Sequence, residues 1–167
     1  MKNKNGFTLI ELTVVITIIG LLSSVLFVNY RAGGQNLRER RSIQAIAQAV
    51  RTAQNRALAS DCATPPCRFG AHFDTSLSTF FIFVDLGAKN GRYDSGEEIE
   101  TQQFETGIEI TDIQPNYSCN TAKCGDVLFD PPDPSTIFSP SGVDSLTVTI
   151  TGGKKVTAEK GGSVDVN

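Results

Sequence analysis

The stretch K-N-K-N-G-F-T-L-I-E-L, Lys2 to Leu12, opens a predominantly apolar run that ends at Val28 and decides how this chain is organised. Between Phe7 and Val28 the only charged residue is Glu11. A helix of about 22 residues rises ~33 Å, which matches the hydrocarbon core of a bilayer. The run therefore predicts a transmembrane helix over residues 7–28. A carboxylate at the bilayer centre costs roughly 2.5 to 3.5 kcal/mol, so we expect a partner chain to neutralise Glu11.

This run differs from a cleavable secretory signal, because it is longer, ends without a small-residue cleavage site and contains an acid. The motif G-F-T-L-I-E-L, Gly6 to Leu12, resembles the N-terminal signal of type IV prepilins and pseudopilins. The resemblance implies that a prepilin peptidase removes residues 1–6 by cutting between Gly6 and Phe7, and that Phe7 is then N-methylated. It also implies that Glu11 contacts the N-terminal amine of a neighbouring subunit during assembly.

The charges that flank the apolar run bear on its orientation. Lys2 and Lys4 precede it and favour a cytoplasmic N-terminus, whereas the arginines that follow it oppose that orientation. Giving the prepilin resemblance more weight, we expect a single-pass protein of the inner membrane. Its C-terminal domain would then be periplasmic or extracellular, and the protein would be filament-associated after assembly.

Composition describes one exported globular domain beyond the membrane run. The chain has 167 residues, 40% of them hydrophobic, and a net charge of −3. It therefore has no global basic surplus of the kind that drives nucleic-acid binding. No nucleophile pattern, phosphate-binding glycine loop or cofactor motif is present, so we predict neither an enzyme nor a cofactor or small-molecule substrate.

Four cysteines form two local pairs, Cys62 with Cys67 and Cys119 with Cys124. Four cysteines allow three connectivities, and the local one is preferred because each pair brackets a turn. A zinc site would need further ligands, and the only histidine is His72. We expect disulfides, as is usual for an exported protein, and we expect His72 to be a surface or sheet residue.

The soluble part begins as helix and continues as strands. Residues 29–34 predict a loosened joint because Gly33 and Gly34 each cost about 1 kcal/mol in a helix. Apolar positions at steps of three and four then predict an amphipathic helix that ends near Ser60. Beyond it, residues 61–167 predict a β-rich domain. Its expected strands are Phe80 to Leu86, Glu97 to Glu105, Ile108 to Ile113, Val127 to Phe129 and Ser145 to Thr151, with a last hairpin from Lys155 to Val166. The fold class is α+β, a long N-terminal helix packed on an antiparallel sheet.

A second resemblance narrows the family. The segment from Phe81 to Ile99, F-I-F-V-D-L-G-A-K-N-G-R-Y-D-S-G-E-E-I, is similar to a hairpin of minor pseudopilins of the general secretion pathway protein H and fimbrial biogenesis protein T type. The helix from Arg41 to Ser60 also looks like that branch. The resemblance implies the type IV pilin-like fold.

The same segment offers hard oxygen ligands of the type that calcium prefers. The candidates are Asp85, Asn90, Asp94, Glu97 and Glu98. Their spacing is not that of an EF-hand, and Asn90-Gly91 is by itself a turn signal, so we predict an acidic surface turn and no metal site.

We therefore predict a structural minor pilin or pseudopilin of a type II secretion pseudopilus or a type IV pilus. Its implied partners are other pilin subunits, the prepilin peptidase and the inner-membrane assembly platform. One alternative is a DNA-binding minor pilin for DNA uptake, for which the C-terminal lysines Lys154, Lys155 and Lys160 are the candidates. The other alternative is a solitary membrane-anchored domain that enters no filament.

Overall fold

The computed structural model describes residues 7–59, 68–86, 90–131 and 135–167, and for residues 26–32 it describes the backbone alone. A single helix, α1, spans Leu9–Ala59. Ser60, near which the sequence predicts the end of the helix, lies outside the described residues. The backbone is helical through Gly33 and Gly34, and the loosened joint predicted at residues 29–34 stays a prediction. Close contacts divide the chain into two compact units, of which the first ends at Leu37 and the second runs from Arg38 to Asn167.

The helix continues through the glycine pair because stopping would cost more. Two glycines cost about 2 kcal/mol relative to alanine. Nucleating a new helix after a break has an equilibrium constant of about 10⁻³, or roughly 4 kcal/mol. Strong helix-forming segments on both sides therefore favour continuity.

The larger sheet of the second unit, sheet A, is antiparallel and has six strands. They are β1 (Arg68–Asp74), β2 (Thr79–Asp85), β3 (Glu98–Gln103), β5 (Tyr117–Cys119), β6 (Ala122–Asp130) and β7 (Ser135–Ser139). Their order is β3-β2-β1-β6-β5, and β7 also pairs with β6. The predicted strands β2 and β3 are confirmed. The short strand expected at Val127 to Phe129 is the middle of the longer β6.

The smaller sheet, sheet B, has four antiparallel strands. They are β4 (Ile110–Gln114), β8 (Ser145–Ile150), β9 (Lys155–Glu159) and β10 (Val164–Val166), in the order β10-β9-β8-β4. The predicted strands β4 and β8 and the last hairpin are confirmed. Gly162, at φ +80°, supplies the left-handed residue of that hairpin's turn.

The core lies where the second half of α1 meets the two sheets. Ile46, Val50 and Ala53 of the helix are fully buried in one cluster with alternate residues of sheet A and with Leu146 and Ile150 of sheet B. Burial of this kind stabilises by about 25 cal/mol per Å² of apolar surface. The α+β class, with the helix packed on antiparallel sheets, is confirmed.

The opposite face of sheet A is also covered. Gly70, His72 and Phe83 are buried although their neighbours along each strand point into the helix-side core. A Cβ at Gly70 would lie 2.7 Å from the Phe83 ring and 2.9 Å from Leu128, so this face is too tightly packed for any larger residue there. Residues 90–96 of the β2–β3 connection lie over it and bring Tyr93 against the ring of His72.

Candidate functional site

The N-terminal unit displays apolar side chains on every side of its helix. All described side chains from Phe7 to Val25 are exposed, from 51% at Val14 to 94% at Phe7 among the large hydrophobic residues. A soluble helix keeps its apolar residues on one face, whereas a helix that is apolar all round is buried in a core or a bilayer. This surface therefore needs a cover that the single chain does not supply.

Within the described residues, no helix is long and apolar enough to cross a membrane.

The helix begins in a capping box formed by Thr8 and Glu11. The Glu11 carboxylate accepts hydrogen bonds from the Thr8 N–H (2.8 Å) and from its hydroxyl (2.7 Å), and the Glu11 N–H donates to Thr8 Oγ1 at 3.3 Å. These bonds satisfy groups that a helix N-terminus otherwise leaves unpaired. Glu11 thus has polar partners within its own chain, and its expected contact with a neighbouring subunit stays a prediction. The T-x-x-E spacing in the sequence carries this signal.

The predicted ligand oxygens of the β2–β3 connection bind the connection's own backbone. Glu97 accepts from the N–H groups of Leu86 (2.9 Å) and Asp94 (3.0 Å), and Asp85 accepts from the Gly91 N–H at 3.0 Å. The Asn90 amide donates to Asp94 Oδ2 at 2.8 Å. These groups therefore hold the turn together.

Glu98 continues this arrangement. Its carboxylate accepts bonds from the Gly96 N–H (2.8 Å) and the Tyr93 hydroxyl (3.0 Å). Hydrogen bonds from its own backbone N–H and that of Gly96, followed by the Tyr93 hydroxyl, lower the pKa of Glu98. Burial and the neighbouring Glu98 charge raise the pKa of Tyr93 to about 12. Glu98 thus anchors the ring that covers His72.

His72 is a sheet residue, as predicted, but it is buried and is not at the surface. Its Nδ1 lies 2.6 Å from Asp126 Oδ1, and both side chains are at most 5% exposed. Asp126 Oδ2 accepts a hydrogen bond from the Tyr117 hydroxyl at 2.7 Å. Burial, and then the Asp126 charge, raise the pKa of Tyr117. Residues 72 and 126 are adjacent only through the pairing of β1 with β6. No local sequence pattern therefore predicts the cluster of His72, Asp126 and Tyr117.

One group of three side chains in the described residues has metal-ligand spacing, His72 with Asp74 and Cys124. Cys124 is bonded to Cys119, and metals bind cysteine as the free thiolate. The disulfide confirms the local pairing predicted for Cys119 and Cys124. Cys62 and Cys67 lie outside the described residues.

The three lysines considered for DNA do not form one patch. Lys155 begins β9 and Lys154 precedes it, whereas Lys160 follows the far end of the strand, roughly 17 Å from Lys155 at about 3.3 Å per residue. Lys160 also pairs with Asp144, 3.3 Å between Nζ and Oδ1. The geometry therefore does not support a basic C-terminal surface.

Comparison with known families matches residues 1–27 to the prokaryotic N-terminal methylation motif. No curated protein and no solved structure matches the chain. The matched residues include the predicted cleavage position Gly6-Phe7, the capping pair and most of the apolar run. The chain carries, over residues 1–27, the N-terminal signal of the type IV pilin and pseudopilin superfamily.

Proposed function

We propose that this chain is a structural minor pilin or pseudopilin with a pilin-like fold, a subunit of a type II secretion pseudopilus or a type IV pilus. In this proposal prepilin peptidase cuts between Gly6 and Phe7, and Phe7 is N-methylated. Residues 7–28 first anchor the precursor in the inner membrane by a single span, with the domain on the periplasmic side. The assembly platform then transfers the subunit to the filament.

The observation that carries the proposal is the methylation motif on a helix whose apolar side chains are all exposed. The motif is typical of structural subunits that assemble with other pilins, and such subunits are not enzymes. Lipid before assembly and neighbouring helices after assembly would each cover the exposed apolar surface.

Glu11 gives the sharpest test, because it has two separable roles. As the third residue of a capping box it needs a hydrogen-bond acceptor, which glutamine also provides. As the partner of a neighbouring subunit's ammonium it needs a negative charge. Glu11→Gln therefore keeps the cap and removes the charge, whereas Glu11→Ala removes both.

The experiment measures filament incorporation of the full chain in cells by shearing and immunoblotting, with membrane flotation as the control for insertion. We expect both variants to insert and neither to enter filaments. Normal incorporation of Glu11→Gln together with loss in Glu11→Ala would make Glu11 a helix cap only. Normal incorporation of both variants would contradict the assembly role proposed for Glu11. Absence of the wild-type chain from the sheared filaments would favour a solitary anchored domain and contradict the proposal.

A further inference from the structure

A basic patch that the proposed function does not use lies where α1 enters the second unit. Three of the four residues from Arg38 to Arg41 are arginines, and all three guanidinium groups are exposed. The fourth residue, Glu39, is only 5% exposed and packs beneath Gly152 of the β8–β9 turn. The patch therefore exposes three positive charges to solvent, whereas the acid between them is buried.

Internal contacts satisfy these arginines only in part. Arg38 donates to the Thr106 carbonyl at 3.2 Å, which leaves its charge without a carboxylate among the described residues. Arg40 has no hydrogen bond or ion pair within the described chain. Arg41 lies 3.7 Å from Glu105, and both side chains are well exposed, so this pair contributes little.

The patch contrasts with the rest of the domain. Residues 38–59 contain five arginines and one glutamate, whereas residues 60–167 contain sixteen acidic and seven basic residues. An anionic surface would therefore repel most of the domain and attract this end of the helix. The attraction acts within about a Debye length, 8 to 10 Å at physiological salt.

A cleft beside the patch could admit a polar headgroup. It has a volume of about 340 Å³ and is open to solvent. Arg41, Ser42, Gln103 and Glu105 line it with polar groups, over Ala45 and Phe104. Guanidinium groups recognise phosphate oxygens with two parallel N–H donors.

The length of chain between the apolar run and the patch is short enough for the arginines to approach the lipid headgroups. Arg38 follows Val28, the end of the apolar run, by ten positions, a length of chain that spans ~15 Å as helix. The headgroup region extends roughly 5 to 8 Å beyond the hydrocarbon core, and an arginine side chain reaches toward it by snorkelling. Arginines on the translocated side of a span oppose the usual charge bias, so their presence there calls for a ligand.

We infer that Arg38, Arg40 and Arg41 bind the phosphate of anionic phospholipid headgroups, in the leaflet that faces the domain, before the subunit enters a filament. The inference rests on the proposed function, since it needs residues 7–28 to anchor the chain. The lipid contact would hold the domain down on the membrane, and extraction of the subunit would release it. Each basic residue near an anionic surface contributes about 1 kcal/mol, or roughly five-fold in binding.

Arg40 and Arg51 provide a matched pair for the test. Both are exposed arginines of α1 without a carboxylate partner in the described structure. Eleven residues are close to three helical turns, so the two arginines lie on nearly the same face of the helix. Along the chain, Arg51 lies eleven residues farther from the apolar run than Arg40 does. Arg40→Gln and Arg51→Gln thus make the same charge change at two distances from the membrane.

The full chain is reconstituted in nanodiscs of equal phosphatidylglycerol and phosphatidylcholine, and native mass spectrometry counts the lipids that remain bound. We expect the wild-type chain to retain phosphatidylglycerol preferentially. Arg40→Gln should lower that preference about five-fold and Arg38→Gln/Arg40→Gln by more, whereas Arg51→Gln should leave it unchanged. A parallel measurement adds inorganic phosphate to the chain in detergent, and it tests whether the arginines bind a soluble phosphate instead of a lipid.

Each outcome decides the inference. No lipid preference in the wild type, or equal losses in Arg40→Gln and Arg51→Gln, would overturn it and leave a solvated helix face. Phosphate adducts that depend on Arg40 without any lipid preference would also overturn it. Failure of the chain to float with vesicles would refute the proposed anchor, whereas flotation without lipid preference would refute this inference alone.

Discussion

His72 and Asp126 form a buried pair on the face of sheet A that points away from α1, with 2.6 Å between Nδ1 and Oδ1. Asp126 also accepts the Tyr117 hydroxyl at 2.7 Å and the Tyr93 N–H at 3.4 Å. One carboxylate therefore joins β1, β5, β6 and the β2–β3 connection. It stabilises the surface that the connection covers.

Asp126→Ala should lower the free energy of unfolding by about 1 to 3 kcal/mol, because it leaves buried hydrogen-bonding partners unpaired. Asp144→Ala removes an exposed carboxylate that pairs with Lys160, and it should change stability by less than about 0.5 kcal/mol. Urea unfolding of the two variants, followed by circular dichroism, provides the comparison. Equal changes in the free energy of unfolding of the two variants would show that the buried pair does not contribute to stability.

Asp112 of β4 and Lys123 of β6 link the two sheets, with 2.6 Å between Oδ1 and Nζ. The Lys123 hydrogen bond is the main reason that the pKa of Asp112 is lowered, and Gln114 adds to it. A lowered pKa stabilises the folded state above the usual aspartate value of about 3.9, and the contribution disappears as pH falls toward the lowered value. Since both side chains are partly exposed, the contribution should be about 0.2 to 1 kcal/mol.

Lys123→Gln tests this link. The difference in melting temperature between the wild type and the variant should be present at pH 7 and should shrink below about pH 4, as Asp112 becomes protonated in both proteins. A difference of the same size at pH 7 and pH 3 would rule out the proposed charge interaction.

Gly152 is required by both its conformation and its neighbour. Its φ is +88°, and an added Cβ would overlap the Glu39 carboxylate. Gly153 has a similar φ of +78° but has open space around it. Left-handed strain alone costs roughly 1 to 2 kcal/mol, so Gly152→Ala should destabilise more than Gly153→Ala.

A double variant separates the two causes. Glu39→Ala removes the carboxylate, so Gly152→Ala in that background should cost only as much as Gly153→Ala does. Thermal unfolding of the four proteins measures this coupling. If Gly152→Ala costs the same with and without Glu39, the steric contact is not what restricts this position.

Local patterns predicted much of this fold. The helical periodicity before Ser60 and the alternation in S-L-T-V-T-I-T, Ser145 to Thr151, indicated elements that the structure confirms. The strand β1 was not predicted, because both of its faces are covered and its residues are therefore buried without alternation. The short strands β5 and β7 have too few residues to show a period.

The candidate sites differ in the same way. The N-terminal signal lies in adjacent residues, so sequence alone could identify it, and the Thr8–Glu11 cap was readable from its spacing. The pair of His72 with Asp126 spans 54 residues and depends on strand pairing, which the sequence did not specify. The sequence revealed that the β2–β3 connection is acidic, but it did not reveal that the carboxylate oxygens accept hydrogen bonds from the connection's own backbone.

The most direct test of the central claim, that residues 1–27 act as a prepilin signal, is mass spectrometry of the N-terminus of the protein purified from cells with an active prepilin peptidase. We expect a chain that begins at Phe7 and carries one added methyl group on its amine. Gly6→Ala should leave the precursor uncut. A functional, filament-associated protein that begins with an unmethylated Met1 would contradict the account.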